Sequence, residues 1–401
     1  MAMKKLEYTV SFTTPAFLGN AEQQAQWRTP PFKALIRQWW RVVKAREVGY
    51  DHRRLLQEEN RLFGAAADDG GGSHRSLVRF RLNTWAVGDI DKWDSDTKIP
   101  HKEVGKDVGA ELYLGFGPLT YGETGKTNAK GFPIKDTILS PIKGSENGQR
   151  RTAINIRANA RLCLMFSAEL ESELRNALQL AAWFGTLGSR SRNGWGALHL
   201  SGENIESIDS LRPAKLEPFS RNVKDCLQLD WPHAVGKDGK GPLVWKTKIG
   251  GSWRDAMREL ARIKIEFRTK PKLLSFEKTA DGVLAGRQIL AYPVTNHAVL
   301  GPVNSKEKVA GWVELDVKTG KPKTDKRGKY IQSARLANQI RFKVIPGAGG
   351  KLFGLITHLP CKLPDTLFEK LSPKDRQFVR DNELAIWQQV HMKLDELCER
   401  L

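Results

Sequence analysis

The chain reads as an α+β protein, and three observations carry that reading. In the N-terminal half, segments of two-residue period and segments of helical period follow one another as strand, helix, strand, strand, helix, strand. This is the split order of ferredoxin-like and RRM-like units. The second half mixes amphipathic helix with alternating strand in the same manner, in a less clear order. Finally, the strands of each half look antiparallel, which together with the helices makes the class α+β.

The elements follow from local patterns. Leu6–Phe12 is strand-like and runs into Thr13-Thr14-Pro15. Helix is predicted from Pro31, where a proline at the helix start forfeits no hydrogen bond, to about Val48. At 100° per residue, Lys33, Arg37, Arg41 and Lys44 share one arc of about 80°. Leu35, Ile36, Trp39, Trp40, Val42 and Val43 fill the other side, so the helix has a core face and a basic ridge expected to point outward. A second short helix, Asp51–Phe63, stops at Gly64. Leu77–Asn83 alternates strictly, with Val78, Phe80 and Leu82 inward and Arg79, Arg81 and Asn83 outward. From about 88 to 150 the periodicity fails while Gly, Lys, Asp and Pro rise, which predicts a long insertion with short hairpins. Strands over Arg151–Phe166, a helix over Glu169–Gly185 and a strand over Trp195–Leu200 complete a first unit, 1–205. Residues 206–222, with Pro213 and Pro218, read as a linker to a second unit, 223–401. There Ser252–Ile263 is amphipathic helix. Gln339–Ile345 places Ile340, Phe342 and Val344 inside and Gln339, Arg341 and Lys343 outside. Lys351–Leu359 is a further strand, and Val390, Leu394, Leu397 and Leu401 form a stripe expected to pack on their own unit.

Composition narrows the function. Forty per cent hydrophobic and 27% charged residues over 401 positions give ample core and exclude wholesale disorder. The longest apolar run, Leu178 to Leu187, is far short of a membrane span, and Met1–Leu18 lacks an apolar signal region. A cytoplasmic protein without membrane contact is expected. Lys and Arg total 65 against 45 acids, and the excess of +20 is spread over both halves. A basic surface of this extent points to a polyanion, most commonly nucleic acid. Cys163, Cys226, Cys361 and Cys398 are far apart with no C-x-x-C pair, and the eight histidines form no H-E-x-x-H. Neither a metal site nor a cofactor is expected.

The most informative motif joins the helix over Glu169–Gly185 to the last strand of the first unit: Gly185-Thr186-Leu187-Gly188-Ser189-Arg190-Ser191-Arg192-Asn193-Gly194-Trp195-Gly196. Its glycines let backbone amides approach a phosphate, its arginines supply charge, and its tryptophan offers a stacking face. Other signals are weaker. Gly122–Thr127 imitates the end of a P-loop, but Thr120 stands where its first glycine belongs. Asp68 and Asp69 read as a solvated acidic turn. The lysines and arginine from Lys318 to Lys329 read as a loop, solvated or able to order on RNA. His297 and His52 are the candidate bases of a metal-independent ribonuclease, the alternative function. A scaffold meeting acidic partner proteins is a third.

Several blocks carry a resemblance to a known family. Thr14-Pro15-Ala16-Phe17-Leu18-Gly19, Arg28-Thr29-Pro30-Pro31-Phe32-Lys33 through Trp39-Trp40-Arg41, and Leu62-Phe63-Gly64 resemble the opening of RAMP-superfamily subunits of the type III-B CRISPR Cmr effector complex, specifically those numbered first in it. The loop Gly185–Gly196 resembles the glycine-rich loop of RAMP proteins, and Leu112–Gly117 matches a further block. Tyr292–His297 and Arg335–Gln339 are weaker counterparts. Ala34, Pro31-Phe32 and Asn338-Gln339 depart from the family pattern. The resemblance implies two tandem ferredoxin-like RAMP domains and no catalytic residue. It also implies crRNA, target RNA and neighbouring RAMP subunits as partners. The RNA-binding residues expected on this basis and on the motif chemistry are Arg28, Lys33, Arg37, Arg41, Gly185, Gly188, Arg190, Arg192, Asn193, Gly194, Trp195, Gly196 and Arg335.

Overall fold

The computed structural model describes residues 2–65, 73, 75–145, 148–270, 274, 285–291, 298–300, 306–308, 324, 336, 338–369, 371 and 373–401. Strand β1 (Met3–Phe12) buries Leu6, Tyr8, Val10 and Phe12 on one face and exposes the alternate residues. Helix α1 (Thr29–Ala45) starts on prolines and buries Phe32, Leu35, Ile36, Trp39, Trp40 and Val42. Helix α2 (His52–Phe63) is capped by the Asp51 carboxylate, which accepts the N–H groups of Arg53 and Arg54. Strand β2 is Arg79–Leu82.

The segment after β2 forms two hairpins around a short helix: β3 (Lys98–His101) with β4 (Lys106–Gly109), α3 (Ala110–Gly115), then β5 (Leu119–Thr127) with β6 (Pro133–Leu139). Gly122–Thr127 is therefore strand, with no helix N-terminus to hold a phosphate, and the P-loop imitation ends there. The first unit closes with β7 (Asn159–Ser167), α4 (Glu171–Phe184) and β8 (Leu198–Gly202). Its sheet runs β2-β7-β1-β8, antiparallel throughout, and so has ferredoxin-like connectivity. α1 packs beside α4, with Trp39 and Phe184 rings 5.5 Å apart. The opposite face of this sheet stays open and carries Lys5, Glu7, Thr9, Arg79, Arg81 and Arg161, all exposed.

Residues 206–222, read from their prolines as a linker, are folded. They include α5 (Pro213–Leu216) and β9 (Ser220–Asn222), and Leu211 and Leu216 are buried. Then come α6 (Val223–Cys226), β10 (Val235–Asp238), β11 (Gly241–Pro242), β12 (Val244–Gly251) and α7 (Trp253–Thr269). Helix α7 opens on a capping box, Ser252 with Asp255. After α8 (Ala285–Leu290), β13 (Ala298–Leu300) and β14 (Lys306–Lys308) come β15 (Ile340–Pro346), β16 (Leu352–His358), α9 (Asp365–Phe368), α10 (Pro373–Leu397) and β17 (Cys398–Arg400). The second sheet runs β15-β16-β12-β17, again antiparallel, repeating the connectivity of the first. Val390 and Leu394 lie in the core against it, as their spacing predicts.

One sequence expectation is corrected here. Gln339, Arg341 and Lys343 do lie opposite Ile340, Phe342 and Val344, but every residue from Ile340 to Ile345 is buried. The face taken for a solvent face is covered by the first unit. Ile345, Leu355 and Val244 join the apolar cluster of β1, α1 and α4, while Phe342, Val344, Ile356 and Trp245 join that of α7 and α10. Lys343 reaches across to donate to the Ala182 carbonyl in the last turn of α4. A cation there satisfies an otherwise orphaned carbonyl at the negative end of the helix dipole.

Among the described residues no helix is long and apolar enough to cross a membrane.

Candidate nucleic-acid interface

The glycine-rich loop Gly185–Gly196 sits where the two units meet. Most of its backbone is already committed. Leu187 N–H donates to Gly196 O, Ser189 N–H to Phe17 O, Asn193 N–H to Arg190 O, Gly194 N–H to Ser191 O, and Gly196 N–H to Pro15 O. The hydroxyl of Thr14 donates to Gly194 O and accepts from Ala197 N–H. Across the seam, Phe342 N–H donates to Arg192 O, and Thr13 donates to Val344 O at 2.6 Å. Asn193 bridges to β15, so the loop lies along the edge of the second sheet.

These contacts turn five of the expected residues, Gly185, Asn193, Gly194, Trp195 and Gly196, toward the protein. Gly185 and Gly196 are buried, and their missing side chains make room for protein backbone rather than phosphate: a Cβ would lie 2.3 Å from Ala181 O and 2.0 Å from Leu187 O respectively. Gly194 is buried with φ +93°. Trp195 is fully buried among Phe17, Trp93 and Trp253, with ring centroids 5.2, 5.7 and 5.9 Å away, so it offers no stacking face. Asn193 spends its amide inside, donating to Leu114 O and accepting from Lys264 Nζ at 2.9 Å each. Its aliphatic and aromatic neighbours drive this arrangement, since burying Trp195 releases more free energy than exposing it to stack on a base.

What remains exposed is the tip, Gly188, Ser189 and Arg190. Arg190 adopts the left-handed conformation, φ +58°, and its guanidinium lies over Gly117. Beside the tip opens a cavity of about 120 Å³ lined by Ser189, Gly19, Pro118 and Arg151, among others. Arg151 donates to Gln23 Oε1, and its Nε is buried without a partner among the described residues. Arg28 reaches the same Phe17-Leu18-Gly19 segment through Gly19 O. Sequence reading missed Arg151. Its only signal was position at the entry to the strand region, and only the fold brings it beside residue 189.

Behind the tip lies a group of cations short of counter-charge. Lys264 is buried, donates to Asn193, and sits 5.4 Å from the Tyr113 ring. Burial, then Arg268 and Arg190, hold its amine well below the usual lysine range. Arg192 is half-buried and also lowered by burial, and it faces Arg341, pushed down to about 9 by burial and then by Arg192. No carboxylate pairs with Lys264, Arg192 or Arg341 among the described residues.

The α1 ridge behaves differently. Arg37 and Arg41 turn toward α2 and pair with Glu59, Nε of Arg37 and Nη2 of Arg41 both lying 2.7 Å from Glu59 Oε1. Glu59 is buried. Burial alone would raise its carboxyl, but Arg41 and Arg37 outweigh this and hold it below the usual range. The outward basic ridge is thus partly consumed by an internal ion pair, which helical periodicity could not show because Glu59 lies on another element. Lys33 is half-buried, its amine lowered by burial and by Arg37. Glu59→Gln should destabilise the chain by about 2 kcal/mol, less than a fully buried pair because solvent reaches both arginines. Denaturant unfolding checks this, and a loss below ~0.5 kcal/mol would mean the pairing contributes nothing.

Arg335, His297, Asp68, Asp69 and the lysines and arginine from Lys318 to Lys329 lie outside the described residues. His52 is exposed at the start of α2. Among the described residues no three His, Cys, Asp or Glu side chains converge as metal ligands would.

No protein-family model matches the chain, and no curated protein matches it. Solved structures do. The chain is similar to Cmr1 from Pyrococcus furiosus in its apo form, at 15% identity and a TM-score of 0.42, over 95% of this chain and 97% of that one. It is also similar to a chain of the type III-B Cmr-beta complex bound to cognate target RNA, at 13% identity and 0.43, over 98% and 100%. A chain of the same complex with target RNA and AMPPnP, in state 2 and in the presence of ssDNA, aligns at 14% identity and 0.44, over 98% of each.

Proposed function

We propose that this protein is a non-catalytic RNA-binding subunit of a type III-B CRISPR ribonucleoprotein, holding crRNA or target RNA by its phosphates. The observation that carries the reading is the exposed Arg190 tip beside a cavity lined by Arg151 and Ser189. A phosphate there would receive two guanidinium groups and a hydroxyl, with Arg28 close behind on the same segment. The cations of the seam add a long-range positive field without touching the strand. Contacts of this type set register and leave sequence to base pairing.

Arg151→Ala with Arg190→Ala is expected to weaken binding of single-stranded RNA evenly across sequences. It should also flatten the log–log salt slope by about 1.4, two phosphate contacts at ~0.7 each. Gel shift over a salt series with labelled RNA, in chelator, reads both numbers and reports any cleavage. Unchanged affinity would remove the tip as the site. Discrete fragments would replace the binding role with a metal-independent nuclease.

A further inference from the structure

A second cavity, of about 440 Å³, opens between α6, residues 362–365, α9 and α10. That volume is in the range of small-molecule sites. It shares no lining residue with the loop tip. Its walls are apolar and include the Phe368 ring, Leu227, Leu363 and Leu384. Glu383 from α10 lines it too. The Leu363 N–H hydrogen-bonds to this carboxylate, yet Oε1 is shielded from solvent and has no partner among the described residues. A buried acceptor left open in this way calls for an occupant that donates to it. Two cations lining the same cavity are exposed and not ion-paired among the described residues: Lys224, and Arg380, whose guanidinium lies 5.3 Å from the Phe368 ring. Lys362, by contrast, is satisfied by Asp365 at 2.8 Å.

A flat apolar wall, an inner acceptor and free cations at the same opening describe one ligand class. We propose that this cavity binds a nucleoside 5′-monophosphate unit whose base carries an exocyclic amine, free or within a strand. The base lies on the apolar wall, the amine donates to Glu383 Oε1, and the phosphate sits between Lys224 and Arg380. Burial pushes the Glu383 carboxyl up to about 7, so above neutrality it is an anionic acceptor, and unsubstituted purine, with no N–H to give, is disfavoured.

Equilibrium dialysis of the full chain at pH 8 tests this. The probes are AMP, purine riboside 5′-monophosphate, which has the same rings without the amine, and adenosine, which lacks the phosphate. AMP should bind at least ~10-fold more tightly than either. Glu383→Leu should abolish the preference for the amine, and Lys224→Ala with Arg380→Ala the preference for the phosphate. The exposed pair guards against misfolding of the Glu383 variant, and the comparison of probes on the wild-type chain needs no variant. If AMP fails but pentaadenylate binds over its purine-riboside counterpart in a Glu383-dependent way, the source is a strand. Equal binding with and without the amine, in monomer and pentamer alike, or no binding of either, overturns the proposal. Arg151→Ala with Arg190→Ala should leave AMP affinity unchanged, so failure here and failure of the RNA-binding reading are separable.

Discussion

Gly196→Ala is expected to destabilise the chain by more than about 3 kcal/mol. The residue sits at φ +60°, and its new Cβ would meet Leu187 O at 2.0 Å. The obstacle is backbone, so no side chain can rotate away. Relief requires breaking the Gly196-to-Pro15 and Leu187-to-Gly196 hydrogen bonds and shifting Trp195 out of its cluster. Gly144→Ala is the matched control, with φ +81° and nothing within 4 Å of the added carbon, and it should cost only ~1–2 kcal/mol. Denaturant midpoints compare the two. If they fall equally, the glycine-rich loop is not a backbone clasp, and its glycines need another explanation.

Stability should rise between pH 7 and about 9, by on the order of 3 kcal/mol. Lys343 is buried without a carboxylate partner among the described residues, and burial brings its amine down to about 7; Lys264 is also well below the ordinary lysine value through burial, then Arg268 and Arg190. Above pH 7 the folded chain gives up the Lys343 proton, whereas the unfolded chain keeps it to about 10.5. The unfolded state therefore binds more protons, and raising the pH favours the fold. Above about pH 9 the thiols of Cys226, Cys361 and Cys398 oppose this, because burial pushes each up to about 12 while unfolded thiols ionise near 9. On the acid side the contributions oppose one another. His233 and His391, both lowered by burial to about 4, gain stability as pH rises to 6.5; Glu111 and Glu383, raised by burial to about 7, lose it from 4.5 upward. Unfolding midpoints at pH 7, 8 and 9 read the effect. A flat or falling series would sink it, and Lys343→Met should remove a large share of the slope.

Local patterns carried the elements but not their coverings. The alternation of Gln339–Ile345 sorted its side chains correctly into two faces, because strand geometry fixes which residues share a side. It could not say that the polar face meets another part of the chain, and Arg341 and Lys343 in solvent or against α1 and α4 leave the same pattern. Likewise, the arc of Lys33, Arg37 and Arg41 is real, but Glu59 cancels part of it from a helix some twenty residues on. The loop's position between α4 and β8 was legible, but not which of its two arginines would be exposed. The inward turn of Trp195 and Asn193 was not legible, because a glycine-rich stretch signals close backbone approach without naming what approaches. Arg151 became visible only when the fold set it beside Ser189.

The bond from Phe342 N–H to Arg192 O joins points in the chain that leave the ribosome at quite different times. At about 5–20 residues per second, the roughly 150 residues between them take on the order of 10–30 s to make. Throughout that interval the nascent first unit has its helices and sheet but lacks β15, and the apolar surface that Ile345 and Leu355 will cover stays wet. Synthesis order thus imposes a waiting period in which a half-finished molecule is sticky. Yield in cells should accordingly depend on chaperone supply and on translation speed through the second half more than on the stability of the finished protein.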